Sequence, residues 1–144
     1  MKRLSAALLA SLMLAAAGPA LAADSPVKLR LDGRPVDRAG GVAVIHNGVV
    51  YADVVDLVKS FNGLLTFQGS AVQVSIGTTS ARFTVGSRTV TINDGALTMP
   101  GQTFQRNGDI YVPLATFVTQ VAHAQVRIDR ARKTADILVN ASPL

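Results

Sequence analysis

The chain has no cysteine, no tryptophan and no glutamate among its 144 residues. Without cysteine there is no disulfide, no thiolate metal site and no thiol nucleophile, so the fold rests on its core and backbone ladders alone. Without glutamate there is no HExxH helix and no Glu to serve as a raised-pKa acid. Aromatic residues are few, two Tyr and five Phe. With no recognition motif beside them, they argue against a nucleic-acid partner. The two histidines, His46 and His123, stand in no HxH or HxxxH spacing, whereas a copper or zinc site needs at least three suitable ligands. Ser60, Ser70, Ser75, Ser80 and Ser87 lack a nucleophile-elbow context. Gly40-Gly41 is a lone pair in a connector, not a phosphate loop. The expectation is a protein that is not an enzyme, with no cofactor and no metal.

Long hydrophobic runs are missing as well, with one exception at the N-terminus. Lys2 and Arg3 precede an apolar stretch from Leu4 to Ala17, Gly18-Pro19 breaks it, and Ala20-Leu21-Ala22 supplies small residues. This is the three-part pattern of a secretory signal peptide over residues 1–22, with cleavage expected after Ala22. The run is shorter than the roughly 20 apolar residues that span a bilayer. Residues 23–144 then read as a single exported domain without a membrane span, periplasmic or secreted. Removing Lys2 and Arg3 from the 14 basic residues leaves a mature charge of +3 against nine Asp. That is a modest excess. Its densest cluster is Arg127, Arg130, Arg132 and Lys133 around an expected turn. The plain reading of this cluster is a solvated hairpin tip; the functional one joins these four with Arg82 and Arg88 in a candidate surface for an anionic cell-wall polymer or a partner protein.

What the chain does have is a doubled motif. Asn47-Gly48-Val49-Val50-Tyr51 and Asn107-Gly108-Asp109-Ile110-Tyr111 both spell Asn-Gly-x-x-Tyr, 60 positions apart. Asn-Gly suits the positive φ values of a tight hairpin turn. Each copy reads as a strand, a Gly turn, a hairpin closed by Asn-Gly and ending at Tyr, a helix, and two further strands. The copies are expected at about 27–76 and 88–139. The last two strands are Leu64–Phe67 and Val72–Ile76 in the first copy, and Gln125–Ile128 and Thr134–Val139 in the second.

Leu114, Phe117, Val118 and Val121 fall at i, i+3, i+4 and i+7, predicting one α-helical apolar face with Thr116, Thr119 and Gln120 outward. Pro113 is expected in its first turn. In the first copy Tyr51, Val54, Val55, Val58 and Phe61 form the matching stripe, Asp53 is an N-cap, Asp56 favours the dipole, and Gly63 stops the helix with His123 as its counterpart. Between the copies, Ala81–Val85, Arg88–Ile92 and Ala96–Met99 read as a meander. Phe83, Val85, Val90, Ile92, Leu97 and Met99 should share one face, and Arg82, Thr84, Thr89, Thr91 and Thr98 the other. The Thr/Arg face is a candidate surface for a glycan or a partner sheet. The expected fold class is α+β: two tandem strand-hairpin-helix-hairpin units, with a meander antiparallel sheet packed on two short helices.

Tyr111-Val112-Pro113-Leu114, an amphipathic helix, Ala124 to Asp129, and Lys133 to Ile137 together resemble the copper amine oxidase N-terminal domain-like family, also called stalk domains. The family pattern is roughly Asn-Gly-x-x-Tyr-Val-Pro-Leu-Arg, a helix ending in Leu-Gly-Ala, Val-x-Trp-Asp, then Lys-Thr-Val-x-Ile. The resemblance runs from about Val27 to Val139. Ala115, His123, Ile128 with Phe67, and Ala52-Asp53-Val54 depart from the pattern. The resemblance implies an exported bacterial module that in the oxidases is a separable stalk, remote from the copper and the quinone cofactor and without activity of its own. It implies a structural or protein-interaction role, with binding of a cell-wall polymer (peptidoglycan or glycan) as the alternative.

Overall fold

The computed structural model describes residues 24–36 and 42–139. The expected signal peptide and the Gly40-Gly41 connector lie outside the described residues. Thirteen strands are present within them: β1 (Ser25–Leu31), β2 (Arg34–Val36), β3 (Ala43–His46), β4 (Val49–Asp53), β5 (Leu64–Gln68), β6 (Ala71–Ile76), β7 (Thr79–Thr84), β8 (Thr89–Ile92), β9 (Gly95–Thr98), β10 (Phe104–Arg106), β11 (Asp109–Pro113), β12 (Gln125–Asp129) and β13 (Thr134–Leu138). Helix α1 (Val54–Ser60) follows β4. One α-turn, α2 (Leu114–Thr116), follows β11 and widens into a π-helical turn over Phe117–Val121.

The turns form where the sequence carries residues that tolerate positive φ. Asn47 and Gly48 sit at φ 51° and 78°, Asn107 and Gly108 at 52° and 86°, which are the conditions of a two-residue hairpin turn. At the next turn Asn93 and Asp94 take the positive φ values, 45° and 74°, and Gly95 already belongs to β9.

The strands divide into two sheets rather than one meander. Five antiparallel strands are ordered β5-β6-β7-β8-β9. The larger sheet runs β10-β11-β4-β3-β1-β13-β12, with β2 also on β1. It is mixed, because β1 pairs in parallel with β13 (Leu29 opposite Ala135, Leu31 opposite Ile137). Its first half pairs antiparallel with β3 and its second half with β2. The parallel pair joins the two ends of the described chain, so no local turn signal could announce it. The meander faces follow the expected alternation: Phe83, Val90 and Met99 are buried and Val85 and Ile92 half-buried, while Arg82, Thr89, Thr91 and Thr98 are exposed; Leu97, expected on the inner face, is exposed on the edge strand β9.

Five helical expectations change. Tyr51 belongs to β4, and Leu57 joins Val54 and Val58 as the buried face of α1, with Val55 and Phe61 half-buried against the core as expected. Pro113 ends β11 and only precedes the helical turn, with ψ 123°. Thr116 is buried rather than outward. Within the π turn the Thr119 hydroxyl donates back to the Ala115 carbonyl at 2.7 Å. The Ala122 N–H then reaches the Phe117 carbonyl at 3.0 Å, five residues back. At the end of α1 it is Asn62, at φ 55°, that takes the left-handed conformation, matching His123 at 53°. Gly63 is needed for room instead: a Cβ there would lie 2.6 Å from the Ser75 carbonyl oxygen.

Both sheets and both helical segments contribute to one core, which includes Leu29, Ala52, Val54, Leu57, Val72, Val74, Phe83, Val112, Leu114, Phe117 and Ile137. Phe117 lies 6.1 Å from Phe83 and 6.2 Å from Phe61 between ring centroids. The sheets are also stitched at Thr103, which bridges to Val85 in parallel, while its carbonyl accepts from Gly86 N at 2.7 Å and its N–H donates to Ser87 O at 3.1 Å. The Thr103 hydroxyl is fully buried and makes no hydrogen bond among the described residues. A buried hydroxyl without a partner costs stability. Thr103→Val, which keeps the shape, should therefore leave the protein as stable or raise it by about 1 kcal/mol. Urea unfolding midpoints measure this, and a loss of stability would show that the hydroxyl is satisfied.

Candidate functional site

The two Asn-Gly hairpins meet edge to edge. β4 and β11 pair antiparallel with Tyr51 opposite Pro113, Ala52 opposite Val112 and Asp53 opposite Tyr111. Alternation sends Val50, Ala52, Ile110 and Val112 into the core, and Tyr51, Tyr111, His46, Phe104 and Arg106 to the opposite face. There Phe104 is the hub. It stacks on Tyr111 (centroids 5.1 Å, planes at 9°), meets Tyr51 edge-on at 4.8 Å and lies 4.3 Å from the His46 ring. The Arg106 guanidinium sits 5.2 Å from the Phe104 centroid, in reach of the ring quadrupole.

Asp24 closes this cluster. One carboxylate oxygen lies 2.8 Å from His46 Nδ1, and the other accepts from Arg106. Partial burial works to raise the Asp24 pKa, but the hydrogen bonds from Arg106 and His46 outweigh it and the carboxyl is held below its ordinary value. His46 Nε2 faces the Asn47 side-chain amide at 3.3 Å. The Tyr51 phenol is buried and donates to the Gln102 carbonyl at 2.8 Å. Burial pushes its pKa up, against a smaller opposing pull from Arg88. Asp24, His46, Arg106 and the Tyr51 phenol are therefore each engaged by a neighbour from the same hairpins, the β1 lead-in or the 100–103 segment.

The other histidine stays apart: His123 Nε2 contacts the Thr79 hydroxyl at 2.9 Å. Among the described residues no group of three or more His, Cys, Asp or Glu side chains converges as a metal site. Asp53 caps α1 as expected, accepting from Val55 N at 2.8 Å and more weakly from Asp56 N at 3.4 Å.

The six basic candidates divide between the sheets. Arg127, Arg130, Arg132 and Lys133 lie on the β12–β13 hairpin, whereas Arg82 and Arg88 lie on β7 and just before β8. Three are engaged in the fold. Arg130 donates to the Gly48 carbonyl at 2.8 Å, docking the hairpin onto the first Asn-Gly turn. Arg88 reaches the Met99 and Pro100 carbonyls, and Arg82 the Gln68 amide oxygen. Arg127 is exposed opposite Asp136, whose carboxylate is bound from the other side by Arg30 (2.6 and 3.1 Å). Arg132 and Lys133, with Lys28, border a cleft of about 660 Å³ that Pro26, Pro35, Val36 and Val42 make largely apolar.

Asp24, Phe104, Arg106 and Gly101 carry no motif and were missed by sequence reasoning. Their importance follows from what Tyr51 and His46 touch. A Cβ at Gly101 would collide with the Tyr51 hydroxyl.

The sequence profile described as the copper amine oxidase N-terminal domain matches residues 30–137. The chain belongs to that family. No curated protein and no solved structure matches it.

Two measurements check the cluster. Gly101→Ala should cost roughly 1–3 kcal/mol by overpacking, and most of that cost should vanish in the Tyr51→Phe background, where the colliding oxygen is gone. Equal costs in both backgrounds in denaturant titrations would sever the proposed link. Because the folded pKa of Asp24 is depressed, its contribution is complete above the unfolded value of about 4 and is lost as pH falls through the folded value. Asp24→Asn should therefore be less stable than the parent at neutral pH, and the two should converge as pH falls through the folded pKa of Asp24.

Proposed function

We propose that the chain is an exported, non-catalytic domain of the bacterial cell envelope, a stalk-like module that works by holding and meeting other proteins. The observation that carries this reading is the family match across residues 30–137, since that family takes its name from a domain at the N-terminus of the oxidases. The geometry agrees with it. The side chains most suited to chemistry, His46, Asp24, Tyr51 and Arg106, bond one another or the backbone. On this reading residues 1–22 are a signal peptide removed after Ala22.

We further infer that the domain is a tandem of two related units. What supports it is the register at its centre: Ala52 lies opposite Val112, its own counterpart 60 positions on, and Tyr51 and Pro113 exchange places with Asp53 and Tyr111. The surrounding order is also matched. β12-β13-β1-β2 in one sheet corresponds to β5-β6-β8-β9 in the other, with β7 inserted between β6 and β8. In the larger sheet the equivalent strands, β13 and β1, touch directly and in parallel.

A second reading, a cell-wall polymer module, is favoured by one feature. The apolar cleft beside Lys28, Arg132 and Lys133 joins a sugar-sized surface to cationic side chains. The readings differ in salt response, because contacts led by exposed cations are screened. The purified protein should pass isolated cell-wall material without salt-sensitive retention. Retention at low salt that disappears at high salt would favour the polymer reading.

A further inference from the structure

We propose that β5 is a self-association edge, pairing antiparallel with β5 of a second copy across a two-fold axis at Thr66. This deepens the interaction-domain reading above by naming one partner, this same chain.

The edge is unprotected in a way the others are not. β10 carries Arg106, β12 carries Arg127 and Asp129, and β2 carries Arg34 and Pro35, the charges and proline that commonly blunt a free edge. β5 reads Leu64-Leu65-Thr66-Phe67-Gln68 and has a neighbour, β6, on one side only. Leu64 is 75% exposed and Phe67 56%, the two most exposed large apolar side chains among the described residues. No charged residue occurs anywhere from Phe61 to Ala81, so two copies can approach here without like-charge repulsion. β9, the opposite edge of the same sheet, is also uncharged but begins with Gly95 and is followed closely by Pro100.

Backbone valence selects the register. Gly69, at φ 62°, opens a two-residue turn of the glycine-first kind, which makes Gln68 and Ala71 a hydrogen-bonded pair. Alternation then turns the N–H and C=O groups of Gln68, Thr66 and Leu64 toward β6, and those of Leu65 and Phe67 outward. Pairing about Thr66 sets Leu65 opposite Phe67 of the second copy and Phe67 opposite Leu65. Each of these pairs exchanges two N–H···O bonds, and Thr66 meets Thr66 at the axis. A shift by one residue would face an outward-pointing group with an inward-pointing one and lose the bonds. The side chains agree with this register. Leu65 and Phe67 lie on the inner face beside Val74 and Val72, so the pair extends the existing core and covers the exposed Phe67 ring. An isologous contact closes as a dimer, joining two five-stranded sheets into one of ten, whereas joining β5 to β9 head to tail would leave a new edge at every step.

Two short strands make an interface well below standard size, so the dimer should be weak and appear only at high protein concentration. The test uses the full chain in analytical ultracentrifugation over a wide concentration range. The wild type should move from monomer toward dimer as concentration rises. Thr66→Lys and Thr66→Glu should each stay monomeric, since each places like charges together at the axis, and an equimolar mixture of the two should restore the dimer. The chain has no cysteine. Thr66→Cys should therefore give a clean disulfide-linked dimer under oxidised glutathione, whereas Thr98→Cys on β9 should not. A wild type that stays monomeric at every concentration, a dimer that survives Thr66→Lys, or cross-linking through position 98 but not 66 would each overturn the proposal. None of these results would alter the salt response on cell-wall material, so the self-pairing can fail while the interaction-domain reading stands.

Discussion

The antiparallel pairing of β4 with β11 is the constraint on which the rest of the structure depends. It is short, with Ala52 opposite Val112 at its middle. Both strands run directly into helical segments, through Asp53 and Pro113. Setting the register of this pair therefore sets where both helices begin and which residues they turn inward. A one-residue slip would move Val50, Ala52, Ile110 and Val112 out of the core and bring Tyr51 and Tyr111 into it. The helices supply Leu57, Leu114, Phe117 and Val118 to the centre, and the two sheets close on them.

The same pairing creates a second, smaller cluster on the far face. Phe104 joins the two tyrosines and His46, and Asp24 ties His46 to Arg106. Its groups hold the junction together: the carboxylate anchors the start of β1 to the two hairpins, and the phenol holds the 100–103 segment. The basic hairpin behaves similarly, because Arg130 is fastened to the Gly48 carbonyl. Arg132 and Lys133 border an apolar cleft, while Arg127 stands apart from it opposite Asp136.

Much of the local structure was legible. Asn-Gly and alternating apolar residues located the hairpins, since a positive-φ turn and a period of two are written into few residues. The Asp53 cap was legible for the same reason. The second helix was less so. Its apolar spacing pointed to a regular α-helix, but Phe117–Val121 form a π turn, a one-residue change in hydrogen-bond span that leaves the apolar spacing unaltered. Gly63 was read as a helix stop, whereas Asn62 does that work and Gly63 makes room for the Ser75 carbonyl. A glycine required for φ and one required for space look alike until the neighbour is known. The cluster around Tyr51 was only half visible, because Asp24 and Gly101 reach it from segments distant in the chain.

By itself the sequence determined most of the elements, the inward face of most of those and the family, because these depend on spacings of two to four residues and on a motif that matches as text. Tertiary structure alone decided that the strands form two sheets, that β1 lies parallel to β13, and that β5 is left with an open edge. Those outcomes turn on which strands compete for the same hydrogen-bonding edge, and a strand's edges look identical in sequence whether they are paired or free.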